Sequence, residues 1–236
     1  MEKSLRWAIN SAWDGCSNHR LPLAGPVVAL AAIIVFAEED DSYHYASWFD
    51  SEGEHAKSVG VQIQRGYPHV ALLYEGELHS TETIVHELTH QCLSHLPIPL
   101  WLDEGVAQHL QKTIVGARVV LDDLTERHFG YWNQERIQRF WAGASFHETR
   151  DSVELSYNLA VILVHFLIQK DGDFLTFLRS ARADDAGQTA AWDCYECCLG
   201  EAVGTFLGPG DWRPQRKAIK ACWRAAGWGG ENSVDT

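Results

Sequence analysis

Apolar residues change their spacing along the chain, and the changes outline its elements. Val27–Phe36 is an unbroken apolar run rich in β-branched residues, the pattern of a buried strand. Residues 38–58 are charged and aromatic, with Tyr43, Tyr45, Trp48 and Phe49 spaced as on a partly buried helix. Val59–Gln64 and Val70–Tyr74 read as short strands parted by the turn residues Gly66 and Pro68. After Gly76 the period lengthens. Ser80 is placed to cap a helix with Glu82 in its first turn, ending near His95, where Pro97 and Pro99 prevent continuation. A second helix is expected over Leu102–Thr113 and a loop at Ala142–Gly143. Leu155–Gln169 is almost wholly apolar, which predicts a buried helix, and Ala190–Phe206 predicts one more. No internal repeat or low-complexity segment interrupts the series. Strands first and helices later argue for an α+β fold: a small N-terminal β-sheet with helices, then a helical C-terminal half. The expected division is a polar or short helical lead at 1–26, a main domain at 27–207 and a partly flexible extension at 208–236.

Composition narrows the class. With 236 residues, 46% of them hydrophobic, the chain has ample material for a core, which excludes disorder as the dominant state. The formal charge of −13 repels phosphate backbones, and no basic cluster is read against it, so nucleic acid is not an expected partner. Six cysteines are too few and too uneven for a disulfide scaffold, and the crowded Cys194, Cys197 and Cys198 read as buried or free thiols. Leu21–Ala37 is shorter than the ~20 residues of a membrane helix and carries Pro22, Gly25 and Pro26, so no membrane is expected. The expectation is a cytoplasmic protein. The alternative is export, with residues 1–37 as a signal peptide cleaved after Val35-Phe-Ala37.

The chemistry gathers in His86-Glu87-Leu88-Thr89-His90, inside the helix predicted after Gly76. Histidines at i and i+4 share a helix face, ~6 Å apart at Cβ, so both imidazoles reach one ion. Glu87 projects beside them, placed to take a proton from water on that ion without being a ligand. Twelve histidines give such a motif a chance occurrence of roughly a few per cent, so a third ligand is what lifts it. Fourteen residues after His90, the segment Pro99-Leu-Trp-Leu-Asp-Glu104-Gly-Val-Ala supplies one. The prolines force a reversal, and the returning helix presents Glu104 from its first turn. Its neighbour Asp103 suits a cap or an outer hydrogen-bond acceptor.

These residues resemble the gluzincin metallopeptidases, the thermolysin-like superfamily, and more closely the bacterial domains described as peptidase-MA-like. Those carry a strand, a His-Glu-Leu-Thr-His helix and a Trp-Leu-x-Glu-Gly-Leu-Ala helix. A later Ser-Tyr-x-Leu-Ala-x-x-Leu-Val helix follows, matched here by Ser156-Tyr-Asn-Leu-Ala-Val-Ile-Leu-Val164. The resemblance spans roughly residues 27–207 and is strongest over 80–110. It implies a zincin-like fold and one Zn2+ per chain held by His86, His90 and Glu104. It also implies Glu87 as general base and Tyr157 facing the metal, its phenol placed to hydrogen-bond a developing oxyanion. The class that adds a third histidine six residues after the second is excluded, because Leu93 and Leu96 fill its glycine and histidine positions. Two departures stand out: the gap from His90 to Glu104 is shorter than in thermolysin, and Gln108 replaces the Asp that orients a histidine there. Asp103 or a backbone carbonyl is left to fix the tautomer.

Other histidines take plainer readings. His95 and His109 are expected to face solvent, His147 to lie in a loop before the Tyr157 helix, and His165 to be a hydrogen-bonded core residue. Cys92, at i+2 from His90, points away from it. The resulting expectation is a zinc-dependent hydrolase, a metallopeptidase cleaving peptide or protein substrates by Glu-assisted attack of zinc-bound water. The alternative is a non-catalytic zinc-binding interaction or regulatory module that retains the fold. Substrate and oligomeric state are not written in the sequence.

Overall fold

A computed structural model of the chain describes residues 32–49, 59–63, 65–114 and 125–228. The lead at 1–26, most of the Leu21–Ala37 run and the tail after Trp228 lie outside them. The described elements make a mixed α+β chain, mostly helical, with one three-stranded sheet. In order they are β1 (Ala32–Phe36), α1 (Glu39–Ser47), β2 (Gly60–Ile63), β3 (His69–Leu73), α2 (Glu77–Leu93), α3 (Leu100–Ile114), α4 (Thr125–Tyr131) and α5 (Gln134–Trp141). A 3-10 turn (Ala144–His147) leads to α6 (Arg150–Gln169), α7 (Phe174–Ser180), a 3-10 turn (Ala183–Asp185), α8 (Gln188–Tyr195), α9 (Leu199–Leu207) and α10 (Arg216–Ala225).

The chain divides into two compact units, residues 1–95 with 106–119 and residues 96–105 with 120–236; the dividing point falls inside the continuous helix α3. In the first unit β3 is the central strand. It pairs parallel with β1 (Ala32 opposite His69, Phe36 opposite Leu73) and antiparallel with β2 (Gly60 opposite Leu72). Helix α2 packs on β2 and β3, closing a small core of Val70, Leu72 and Ile84 against which Ile33 and Leu88 rest. Tyr45 donates its hydroxyl to His69 Nε2 at 2.8 Å, and His69 Nδ1 donates to the Tyr67 carbonyl at 2.6 Å, fastening α1 to β3.

In the second unit α6 is the buried helix. It is long and apolar enough to cross a membrane by composition, yet 56% of its apolar window is buried inside the fold, as in the core helix of a globular protein. Thr149 caps it, accepting from Ser152 N. Around it stand Trp101, Trp132, Phe140, Trp141 and Phe146, all at least nine-tenths buried. Helix α10 packs on α5 and on the 183–185 turn.

Several boundaries differ from the sequence reading, each for a physical reason. Ser80 does not cap α2; the helix begins at Glu77 behind Gly76, whose φ of 100° is the left-handed stop that a Ser cannot supply. Helix α6 begins five residues early, because its first turn is polar and its apolar stripe starts only at Leu155. The single helix expected over Ala190–Phe206 is two, broken at Glu196, a non-glycine residue at φ 50°. Strand β1 is an edge strand with Val35 exposed, where the apolar run predicted full burial. A basic cluster also exists: Arg213, Arg216, Lys217, Lys220 and Arg224 are all exposed on and before α10, with Arg213 paired to Asp211 and Arg216 to Asp185. The reading of the crowded cysteines agrees with the structure, since Cys194, Cys197 and Cys198 are free thiols, as is Cys222, and burial pushes Cys194, Cys197 and Cys222 up.

Candidate metal centre

Helix α2 carries the first two candidate ligands, His86 and His90, one turn apart. Their rings stand edge to face, centroids 4.6 Å apart, and the two Nε2 atoms approach to 3.0 Å. The i, i+4 spacing puts both on one face of the helix; Ile84, Val85, Thr89 and Leu93 are buried, and His86, Glu87 and His90 are half-buried. Helix α3 brings Glu104. One nitrogen from each imidazole and one Glu104 carboxylate oxygen lie within 4.8 Å of one another. Glu104 Oε2 and His86 Nδ1 are shielded from solvent.

The donor set fits a metal ion. Zn–N bonds of ~2.0–2.1 Å place two nitrogens of a tetrahedral site roughly 3.4 Å apart, and the observed 3.0 Å is a few tenths short of that. Two imidazoles and a carboxylate suit zinc and other borderline divalent ions, and they fill three positions of four. Among the described residues this is the single group of three or more His, Cys, Asp and Glu side chains spaced to hold a metal, so the cysteines do not form a second one.

Glu87 follows His86 on α2 and faces β2. A Cβ built on Gly60 would lie 3.5 Å from Glu87 Cγ and collide with the Thr83 methyl, so the bare glycine is what lets the strand run this close. Tyr157 stands on α6, half-buried, its ring edge-on to Phe146 at 5.2 Å. Asp103 and Gln108 are half-buried on α3, with Asp103 Oδ1 shielded from solvent. Of the remaining histidines, His95 is exposed as expected, but His109 is half-buried with its Nδ1 shielded, because α3 turns that face inward. His147 ends the 3-10 turn before α6, exposed, with its ring against Trp228 at 5.3 Å; His165 is half-buried on α6.

The sequence reading missed the close approaches that set this geometry. Gly105, next to Glu104, has room for no Cβ: one would lie 2.7 Å from both the Ala160 carbonyl oxygen and Val164 Cγ2. The glycine inside Glu-Gly-Val-Ala was the available signal, since a lone glycine in a helix marks close backbone packing. Trp101, fully buried, donates its indole N–H to the Ala186 carbonyl at 3.0 Å, across 85 residues of sequence that leave no local trace. Compared with protein-family models, with curated proteins and with solved structures, the chain matches none.

Proposed function

We propose that the chain is a zinc-dependent hydrolase, a metallopeptidase of gluzincin type with a zincin-like fold. The observation that carries the reading is the convergence of His86, His90 and Glu104 from two helices with Glu87 on the same turn as the first ligand. The ion, when bound, supplies Lewis acidity, lowering the pKa of water towards 7 and polarising a scissile carbonyl.

The chain's own residues do the rest. Glu87 accepts a proton from the attacking water as its oxygen adds to the carbonyl carbon. The carboxyl group then returns that proton to the amine nitrogen as the C–N bond breaks, so the base ends the cycle ionised. Glu87 serves this role because it stands beside the ligands without being one of them. Tyr157 is assigned, by resemblance, as the donor to the developing oxyanion, a contact whose loss costs roughly 2.7–4 kcal/mol where such donors have been removed. Peptide or protein is the proposed substrate class.

The test is zinc content and turnover of a peptide-library digest in the wild type, Glu87→Gln and Glu104→Ala. About one zinc per chain, retained in Glu87→Gln and lost or sharply weakened in Glu104→Ala, is expected. Turnover should fall by about 10²–10⁴-fold in Glu87→Gln, the usual contribution of a positioned base. Undiminished cleavage in that variant would overturn the mechanism. Zinc bound with no cleavage by any form, and no coordinated water, would turn the reading to the non-catalytic module.

A further inference from the structure

We infer that Trp101 is a positioning residue for the Glu104 carboxylate, and that the 183–189 loop, folded around Asp185, is the anchor from which it works. The inference deepens the reading above and rests on Glu104 being a metal ligand. Trp101 precedes Glu104 by one helical turn on α3, so a displacement at Trp101 is transmitted through a single hydrogen-bonded turn to the carboxylate.

The start of α3 is tied to the loop twice. Trp101 Nε1 donates to the Ala186 carbonyl at 3.0 Å, and Ala183 N donates to the Pro97 carbonyl at 3.1 Å. Both bonds depend on the loop keeping one shape. Ala186 sits at φ 56°, a left-handed conformation that side-chain-bearing residues rarely adopt, so something must hold it there. Asp185 does. Its carboxylate, 5% exposed, accepts from Gly187 N at 2.9 Å, Thr189 N at 3.1 Å, the Thr189 hydroxyl and Arg216 Nη2 at 3.1 Å. Burial alone would raise this carboxyl; the Thr189, Arg216 and Gly187 bonds outweigh it and hold the group below the usual carboxylate range.

On the far side of the ligand, Gly105 seats α3 directly on the α6 backbone, because no Cβ intervenes before the Ala160 carbonyl. Glu104 is therefore fixed by an indole one turn before it and a backbone contact one residue after it. An outer group of this kind matters at metal sites because donors must be held to a few tenths of an ångström, and loss of such support costs about 10–100-fold in affinity.

The experiment uses the full chain with zinc as the probe and compares wild type, Trp101→Phe, Asp185→Asn and Val203→Ala. Trp101→Phe keeps an aromatic ring against Trp141 (5.7 Å) and Phe140 (6.4 Å) and deletes the donor. Asp185→Asn removes the charge that draws Arg216. Val203→Ala truncates a fully buried residue of α9 and serves as the core-damage control. Zinc affinity should fall about tenfold in Trp101→Phe, near the low end of the range for outer-shell groups, and by a smaller factor in Asp185→Asn. It should not move in Val203→Ala under conditions where all four are folded. In metal-free protein, amide exchange at Leu102 and Asp103, whose N–H groups bond the Pro99 carbonyl, should quicken in both loop variants and not in the control. Zinc affinity within twofold of wild type in both loop variants, or an equal loss in Val203→Ala, overturns the inference. If the wild type binds no zinc, the functional reading fails by itself and the exchange measurement still decides the anchor: faster exchange supports it, unchanged exchange overturns it.

Discussion

The two units are held together differently. Among the described residues, every buried Trp, Phe and Tyr belongs to the second unit, where Trp101, Trp132, Phe140, Trp141, Phe146, Phe174, Phe177 and Tyr195 interlock. The fully buried apolar residues of the first unit are aliphatic, Ile63, Val70, Leu72, Ile84, Val85 and Leu93 among them, and its rings Phe36, Tyr45 and Phe49 gather half-buried around His69. Two of the three residues that could hold a metal ion, and the proposed base, belong to the first unit. Burial of large rings gives a core that resists truncation poorly but deforms little. A three-stranded sheet flanked by α1 and α2 gives adjustable backbone, and such regions open at lower free energy than a densely packed core.

The largest test of this contrast is truncation of each core. Phe140→Ala deletes a fully buried ring that touches Trp101, Trp132, Trp141 and Phe146, and should cost about 3–5 kcal/mol. Ile84→Ala removes the residue that joins α2 to β3 and should cost nearer 2 kcal/mol, because a small half-open core collapses more readily. Chemical denaturation midpoints at constant slope measure both. Equal losses would remove the distinction between the units.

A smaller effect probes the sheet side at the base itself. Gly60→Ala drives a methyl into the Thr83 methyl and against Glu87 Cγ, an overpacking that should cost about 1–3 kcal/mol and push β2 away from α2. Adding Thr83→Ser removes the opposing methyl while keeping the hydroxyl that bonds the His79 carbonyl, and should restore most of the loss. A double-mutant cycle on stability reads the coupling. Additive effects would mean that β2 accommodates a side chain at 60 without pressing on α2.

How much of this was written in the sequence depends on the range of the forces involved. The group that could hold a metal ion was legible because ligand chemistry imposes fixed spacing: His86 and His90 one turn apart, and a carboxylate just inside the next helix. Mixed α+β character was legible from the change of period after Gly76. Helix starts were not, since Ser80 and Thr81 fit equally well inside a helix, where Thr81 bonds back to the Glu77 carbonyl. The break falls at Glu196, left-handed at φ 50°, where no Gly or Pro marks it in the sequence. The Trp101 anchor and the Gly60 approach join residues far apart in the chain, and no local pattern announces them.

The smallest expected effect belongs to the second unit and concerns acid. His128 is fully buried; its Nδ1 accepts from Trp132 Nε1 at 2.7 Å and its Nε2 donates to Asn158 Oδ1 at 2.8 Å, which fixes a neutral imidazole. Burial, helped by the neighbouring Arg127 charge and opposed by the Asn158 bond, lowers its pKa below the ordinary value. The unfolded chain therefore takes up the proton first as pH falls. This contribution is complete above about pH 6.5 and is lost as pH drops towards the folded value, at about 1.4 kcal/mol per unit of separation. Urea midpoints measured from pH 7.5 down to 5 should decline with a slope that His128→Gln flattens. Among the described residues of the second unit His128 is the buried histidine, so the slope should follow this one substitution. A decline that survives unchanged in His128→Gln would place the acid sensitivity on another group.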